Sequence, residues 1–159
     1  MDYSQISFEE FKRFNNYFKP TDDPLRYILV GHMLIEEHLD AYIKECLSNI
    51  KVFKEISDFR FYQKSYLAES FDGQEESDWL WVAIRKFNEI RNKVAHKLDH
   101  PGFNDKVEEF IKFVEFNFPD FASEDCTSLP RLSAAIAIIF ALLDFRLQVK
   151  RNAIPSHLL

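Results

Sequence analysis

The stretch "DPLRYILVGHMLIEEHLDAYIKECL", residues 23–47, decides the fold class. Asp23 followed by Pro24 supplies an N-cap and a proline whose missing N–H is not needed in a first helical turn. Leu25, Ile28, Leu29, Ile35, Leu39, Ile43 and Leu47 then follow helical spacing, which predicts one long amphipathic helix reaching about Leu47.

Five further segments show the same periodicity. In "SFEEFKRFNNYF" (7–18), Ser7 and Glu10 have capping-box spacing and Phe8, Phe11 and Phe18 share a side; "KPTDDP" ends that helix. A third helix covers "DFRFYQKSYLAESF" (58–71), followed by the turn "DGQEES". A fourth starts near Ser77 and Asp78 and stops before "DHPG" (99–102), because Pro101 disfavours helix at the residue before it and Gly102 breaks it. The fifth runs from about Asn104 to Phe118, and "PDFASEDCTSLP" (119–130) joins it to a sixth that ends near Arg151. With only 3 glycines against 17 phenylalanines in 159 residues, the chain is poor in turn formers and rich in core fillers. The expectation is an all-α bundle of about six helices, one domain over residues 1–159, with no internal repeat.

Composition also narrows the function. The longest apolar run, "AAIAIIFALL" (134–143), is about half the roughly 20 residues that span a bilayer, so a buried or interface helix is expected and no membrane partner. The enclosing "RLSAAIAIIFALLDFRL" is apolar around most of its circumference, which makes this helix either central or covered by a partner. Cys46 and Cys126 have no partners at metal-ligand spacing and suggest no disulfide framework. The opening "MDYSQISFEE" lacks the basic and apolar regions of a secretory signal, so the N-terminus is read as mature and the compartment as the cytoplasm. A net charge of −6 argues against broad attraction to a polyanion. Any nucleic-acid contact is then local, and with no DNA-reading motif direct DNA recognition is not expected.

The chemistry-bearing stretch is "NEIRNKVAHKLDHPG" (88–102). On a helix with Phe87 at zero, Leu80, Ile90, Val94 and Leu98 lie within about 60° and form the core stripe, with Arg91 about 40° away. Asn92 falls about 140° and His96 about 180° round, on the opposite side, where the amide can orient the imidazole or share a ligand with it. Arg91 and His96 are themselves about 140° apart, so one straight helix does not converge them on one atom. Two arrangements remedy this: the Arg side chain wraps round the helix, or a second copy packs across a two-fold axis and completes the site. From Arg85 to Lys97, five cations (Arg85, Lys86, Arg91, Lys93, Lys97) face one anion, Glu89. That pattern suits a local anion site, and it equally suits a solvated basic helix end that complements the helix dipole.

His32 and Glu36 stand four apart on the second helix, a spacing that can serve a metal, but no second helical His and no Cys/His cluster completes a site. No metal and no cofactor are expected. A polar strip is the plainer reading, in which Glu36 or Glu37 pairs with Arg91 or Lys64. Phe59, Phe61, Tyr62 and Tyr66 are read as core rather than as base-stacking residues, because no strand-borne platform presents them.

"IRNKVAH" resembles the signature of the HEPN superfamily (higher eukaryotes and prokaryotes nucleotide-binding domains), an Arg and a polar residue followed by His, matched here by Arg91, Asn92 and His96. The order "LVGHMLIEEHLDAYIKECL", "FYQKSYLAESF", "LWVAIRKFNEIRNKVAHKL" is similar to the four-helix core of that superfamily over about residues 24–118, with flanking helices at both ends. It looks most like the branch that includes the mannitol operon repressor proteins. The resemblance implies a homodimer formed through the helix carrying Arg91 to His96. It also implies, for many members, a metal-independent endoribonuclease acting as a toxin or defence effector, with an antitoxin or regulatory protein as partner. On that reading Arg91, Asn92 and His96 are catalytic, and Glu36, Glu37, Lys64 and Lys93 support them. The alternative within the same resemblance is a non-catalytic regulatory or scaffolding dimer. Many toxins paired with a nucleotidyltransferase antitoxin carry Tyr two residues beyond the His; this chain has Leu98 there, which speaks against regulation through that tyrosine.

Overall fold

A computed structural model of the chain describes residues 8–19, 23–47, 58–73, 78–96, 102–119 and 128–153. Among them are six α-helices and no strand: α1 (Phe8–Tyr17), α2 (Pro24–Cys46), α3 (Phe61–Ser70), α4 (Trp79–His96), α5 (Phe103–Asn117) and α6 (Ser128–Ala153). The protein is an all-α helical bundle.

The helix ends follow local chemistry. Asp23 accepts a hydrogen bond from the Leu25 amide at 2.9 Å, and Pro24 occupies the first turn of α2. Asp78 does the same for the Leu80 amide at 2.8 Å and opens α4. Gly102 sits at φ +80°, a left-handed conformation that disfavours a side chain, and starts α5. The sixth helix begins earlier than the "PDFASEDCTSLP" linker predicts: Ser128 to Pro130 are already helical, with the proline tolerated in the first turn. The Ser7 half of the capping-box reading lies outside the described residues.

Cross-helix pairs set the directions. Gly31 against Ile136, His38 against Asp144 and Glu45 against Arg151 advance together, so α2 and α6 run parallel. His32 to Asn88 and Tyr42 to Trp81 run in opposite order, so α4 is antiparallel to α2. Rather than flanking a core made of α2–α5, α6 is built into it: Leu132, Ile136, Ile139, Leu143 and Leu147 join Ile28, Ile35, Leu39, Ile84, Phe87 and Phe110 in the main buried cluster. Residues 130–152 are long and apolar enough to cross a membrane, and a little over half of their most apolar stretch is buried within the bundle. A smaller cluster of Phe14, Leu34 and Phe140 fastens α1 across α2 and α6.

Two polar ties cross this apolar interior. Asp72, just after α3, accepts hydrogen bonds from the Tyr42 hydroxyl and the Trp81 indole, each at 3.0 Å, and pairs with Arg146. Its carboxylate thereby links α2, the α3–α4 turn, α4 and α6. His38 donates from Nδ1 to the Leu34 carbonyl at 3.1 Å, and its Nε2 lies 3.3 Å from Oδ1 of the fully buried Asp144.

Gly31 is the point of closest approach between helices. A Cβ there would lie 2.6 Å from Cγ2 of Ile136, 3.2 Å from the Phe87 ring and 3.3 Å from the Phe18 ring. Ile136 is β-branched and cannot swing that methyl away cheaply. Alanine is the better helix former by about 1 kcal/mol, yet overpacking here exceeds that gain, so Gly31→Ala is expected to destabilise the fold by about 1–2 kcal/mol. A lowered urea midpoint with an unchanged slope is the predicted result.

Candidate functional site

The end of the bundle where α2, α3 and α4 meet collects the polar residues that the sequence singled out. On α4, Phe87 and Ile90 are buried, Val94 is half-buried, Arg91 is at the margin and Asn92 is exposed, in the order expected from helical rotation. His96 closes α4, and its side chain lies outside the described residues, as do Lys97 and Leu98. Arg91 does not extend straight outward. Its Nη1 donates to Asn92 Oδ1 at 3.4 Å, so the guanidinium leans round the helix toward the exposed face.

The cationic window is more divided than its sequence suggests. Arg85 donates to Glu69 of α3 at 2.6 Å, and Lys86 donates to Glu109 of α5 at 2.9 Å. The two lysines that share Glu109, Lys86 and Lys106, hold its carboxyl down at about 2, mainly through their hydrogen bonds. Arg91 and Lys93 have no carboxylate partner among the described residues. The capacity to take an added anion is therefore concentrated in the last two turns of α4, not spread over the whole window.

Beneath Arg91 lies a buried network. His32 of α2 donates from Nε2 to Asn88 Oδ1 at 3.1 Å, stacks on Phe61 of α3 with ring centroids 4.2 Å apart, and has Glu36 3.9 Å from Nδ1. Burial lowers the His32 pKa below its ordinary value; the Asn88 bond and Glu36 oppose this, while Arg91 and Lys64 reinforce it. The ring is accordingly neutral at pH 7. Lys64 of α3 is buried and donates to Glu36 at 2.9 Å and to Asp40 at 3.0 Å, which spans α2 and α3. Of the expected pairings, Lys64 with Glu36 is present. Glu37 instead pairs with Arg13 of α1, on another side of α2, and so faces away from the network of Lys64 and Glu36. Neither Glu36 nor Glu37 pairs with Arg91.

No group of His, Cys, Asp and Glu among the described residues is arranged to hold a metal ion. His32 and Glu36 are instead engaged by Asn88 and Lys64. The aromatic reading needs correction: Phe61 is buried under His32, but Tyr62 and Tyr66 are 57% and 46% exposed and are not core. Helical rotation explains this, since Tyr62 and Tyr66 are one turn apart on the outer face while Phe61, Lys64, Ser65 and Ala68 face inward. Sequence reasoning also missed Asn88 as the partner of His32. Its only signal was its position one turn before Asn92, and the pairing requires the antiparallel register of α2 and α4.

Two outcomes test this network. Lys64→Ala leaves Glu36 and Asp40 facing each other without a cation and is expected to lower stability by about 3 kcal/mol, the low end for a broken buried pair because both carboxylates keep some water. For His32, the folded-state pKa lies below the unfolded value near 6.5, so the unfolded chain binds the proton first as pH falls. Stability is then complete above about 6.5 and is lost progressively below it. Thermal melts between pH 7.5 and 5 are expected to show a falling midpoint, with a shallower fall in His32→Gln.

Comparison of the chain with protein-family models, with curated proteins and with solved structures finds no match.

Proposed function

We propose that the chain is a metal-independent endoribonuclease of the HEPN type, acting in the cytoplasm as a homodimer paired through α4, in the role of a toxin or defence effector restrained by a partner protein. The observation that carries the reading is the Arg91 guanidinium, which has no carboxylate partner among the described residues and leans onto Asn92 at the exposed face of the helix that ends in His96.

RNA supplies its own nucleophile, so the chemistry needs a proton acceptor, a proton donor and stabilisation of charge on phosphorus. The 2′-oxygen attacks the adjacent phosphorus, the bond to the 5′-oxygen breaks, and the products are a 2′,3′-cyclic phosphate and a 5′-hydroxyl. His96, as an imidazole that can both accept and donate a proton, takes the 2′-hydroxyl proton or delivers one to the leaving oxygen, and the two copies of the dimer divide these roles. Arg91 meets the phosphate oxygens with its planar donor fork as negative charge grows on them. Asn92 orients the imidazole or the phosphate, and the His32–Asn88 tie holds the α4 backbone against α2 one turn below.

A second reading, a non-catalytic regulatory or scaffolding dimer, draws support from the neutralisation of Arg85 and Lys86 by Glu69 and Glu109, which leaves little net positive surface for RNA along the first half of α4. Incubation of the pure protein with RNA in EDTA separates the two. The ribonuclease reading expects cleavage by the parent, a loss of about 10²–10³-fold in Arg91→Ala and of at least about 10²-fold in His96→Ala. Cleavage that persists undiminished in His96→Ala, or an inert parent that is nonetheless dimeric, rejects it.

A further inference from the structure

Beside the exposed face of α4 lies a run of aromatic and guanidinium planes. Tyr62 and Tyr66 of α3 meet edge to face, with ring centroids 4.8 Å apart. The Arg85 guanidinium lies over the Tyr66 ring, 4.4 Å from its centroid, held there by Glu69. Single exposed aromatics are ordinary, but Tyr62 and Tyr66, 57% and 46% exposed, stand on one helical face in contact with each other and with a guanidinium plane.

Their position relative to the motif follows from the register. Trp81 bonds Asp72, and Arg85 meets both Glu69 and Tyr66, so α3 and α4 run antiparallel. Continuing that register brings Tyr62 alongside Glu89 and Asn92. Arg85 and Asn92, seven residues apart, occupy the same stripe of α4 to within about 20°. The planes therefore lead along one face from Arg85 through Tyr66 and Tyr62 toward Asn92 and the Arg91 guanidinium.

We propose that Tyr62 and Tyr66, backed by Arg85, form a stacking platform for unpaired bases of single-stranded RNA that flank the phosphate bound at Arg91. The chemistry favours this occupant over a duplex. An aromatic face binds a base only if the base is unstacked from its neighbours, and bases in a double helix are not. Charge points the same way. Arg85 is already neutralised by Glu69, so it contributes a flat face rather than net positive charge, and Glu89 repels a backbone laid along this part of α4. Backbone charge is met instead at Arg91 and Lys93, and bases are met at the tyrosines. This inference rests on the ribonuclease reading for the identity of the substrate and assigns how that substrate is held.

The test measures binding apart from cleavage, with the full chain and a fluorescein-labelled single-stranded RNA in which 2′-O-methyl groups block the nucleophile. Replacing both tyrosines, Tyr62→Ala with Tyr66→Ala, is expected to weaken binding by about tenfold or more, while Tyr62→Phe with Tyr66→Phe stays within about twofold of the parent. The slope of log affinity against log salt is expected to be unchanged in the alanine pair and to fall by about 0.7 in Arg91→Ala, which loses one phosphate contact. With both rings about half exposed and alanine the better helix former, the melting midpoint of the alanine pair is expected to stay within a few degrees of the parent's. Unchanged affinity in the alanine pair overturns the platform, and so does an equal loss on a duplex of the same sequence. An alanine pair that turns a dimeric parent into a monomer also overturns it, since the face is then a self-association surface. Cleavage of unmodified RNA is followed in parallel. A parent that cleaves while the alanine pair binds as well as it does sinks the platform alone; a parent that binds through the tyrosines without cleaving sinks the ribonuclease reading alone.

Discussion

The close packing of α2 at Gly31 is the constraint on which the other features depend. The absence of a side chain there lets Ile136 of α6, Phe87 of α4 and Phe18 beyond α1 converge on one turn of α2. Because α2 touches each of these elements within that turn, its position sets the depth of α6 in the core and the height of α4 beside it. One residue later His32 reaches Asn88, so the same turn that brings the helices together also fixes which residue of α4 faces which residue of α2.

Apolar packing alone tolerates sliding of one helix along another, whereas a buried hydrogen bond does not, because a shift leaves a donor or acceptor unsatisfied. The polar groups buried along α2 supply that discrimination on three sides. His32 meets Asn88 on α4, Lys64 of α3 meets Glu36 and Asp40, and His38 meets Asp144 on α6. Asp72 does the same at the opposite end, where it gathers Tyr42, Trp81 and Arg146. The exposed residues of α4 are thus carried on a backbone tied to its neighbours near Trp81 and again near Asn88.

The acidic total conceals an uneven distribution of charge. Along the first half of α4 the cations are consumed by neighbouring helices, Arg85 by α3 and Lys86 by α5. At its C-terminal end the cations have no such partners among the described residues, and the helix dipole adds negative potential that a cation there offsets. A polyanion approaching this protein therefore meets a small positive end rather than a basic face.

How much was legible in the sequence depends on the range of the interaction concerned. Six helices, the caps at Asp23 and Asp78, and the rotation of Phe87, Arg91 and Asn92 about α4 are local matters of backbone geometry and spacing, and the chain determined them by itself. The pairing of Lys64 with Glu36 was one of the four that the polar strip of α2 offered, and spacing alone did not choose among them. Tertiary structure alone decided what meets across helices: that Glu37 turns to Arg13, that the charges of Arg85 and Lys86 are offset by Glu69 and Glu109, that His32 finds Asn88, and that Tyr62 and Tyr66 are left outside the core. Periodicity tells which side of a helix a residue occupies. Which neighbour lies on that side follows from the packing of α2, α4 and α6 around a glycine that has no side chain to keep them apart.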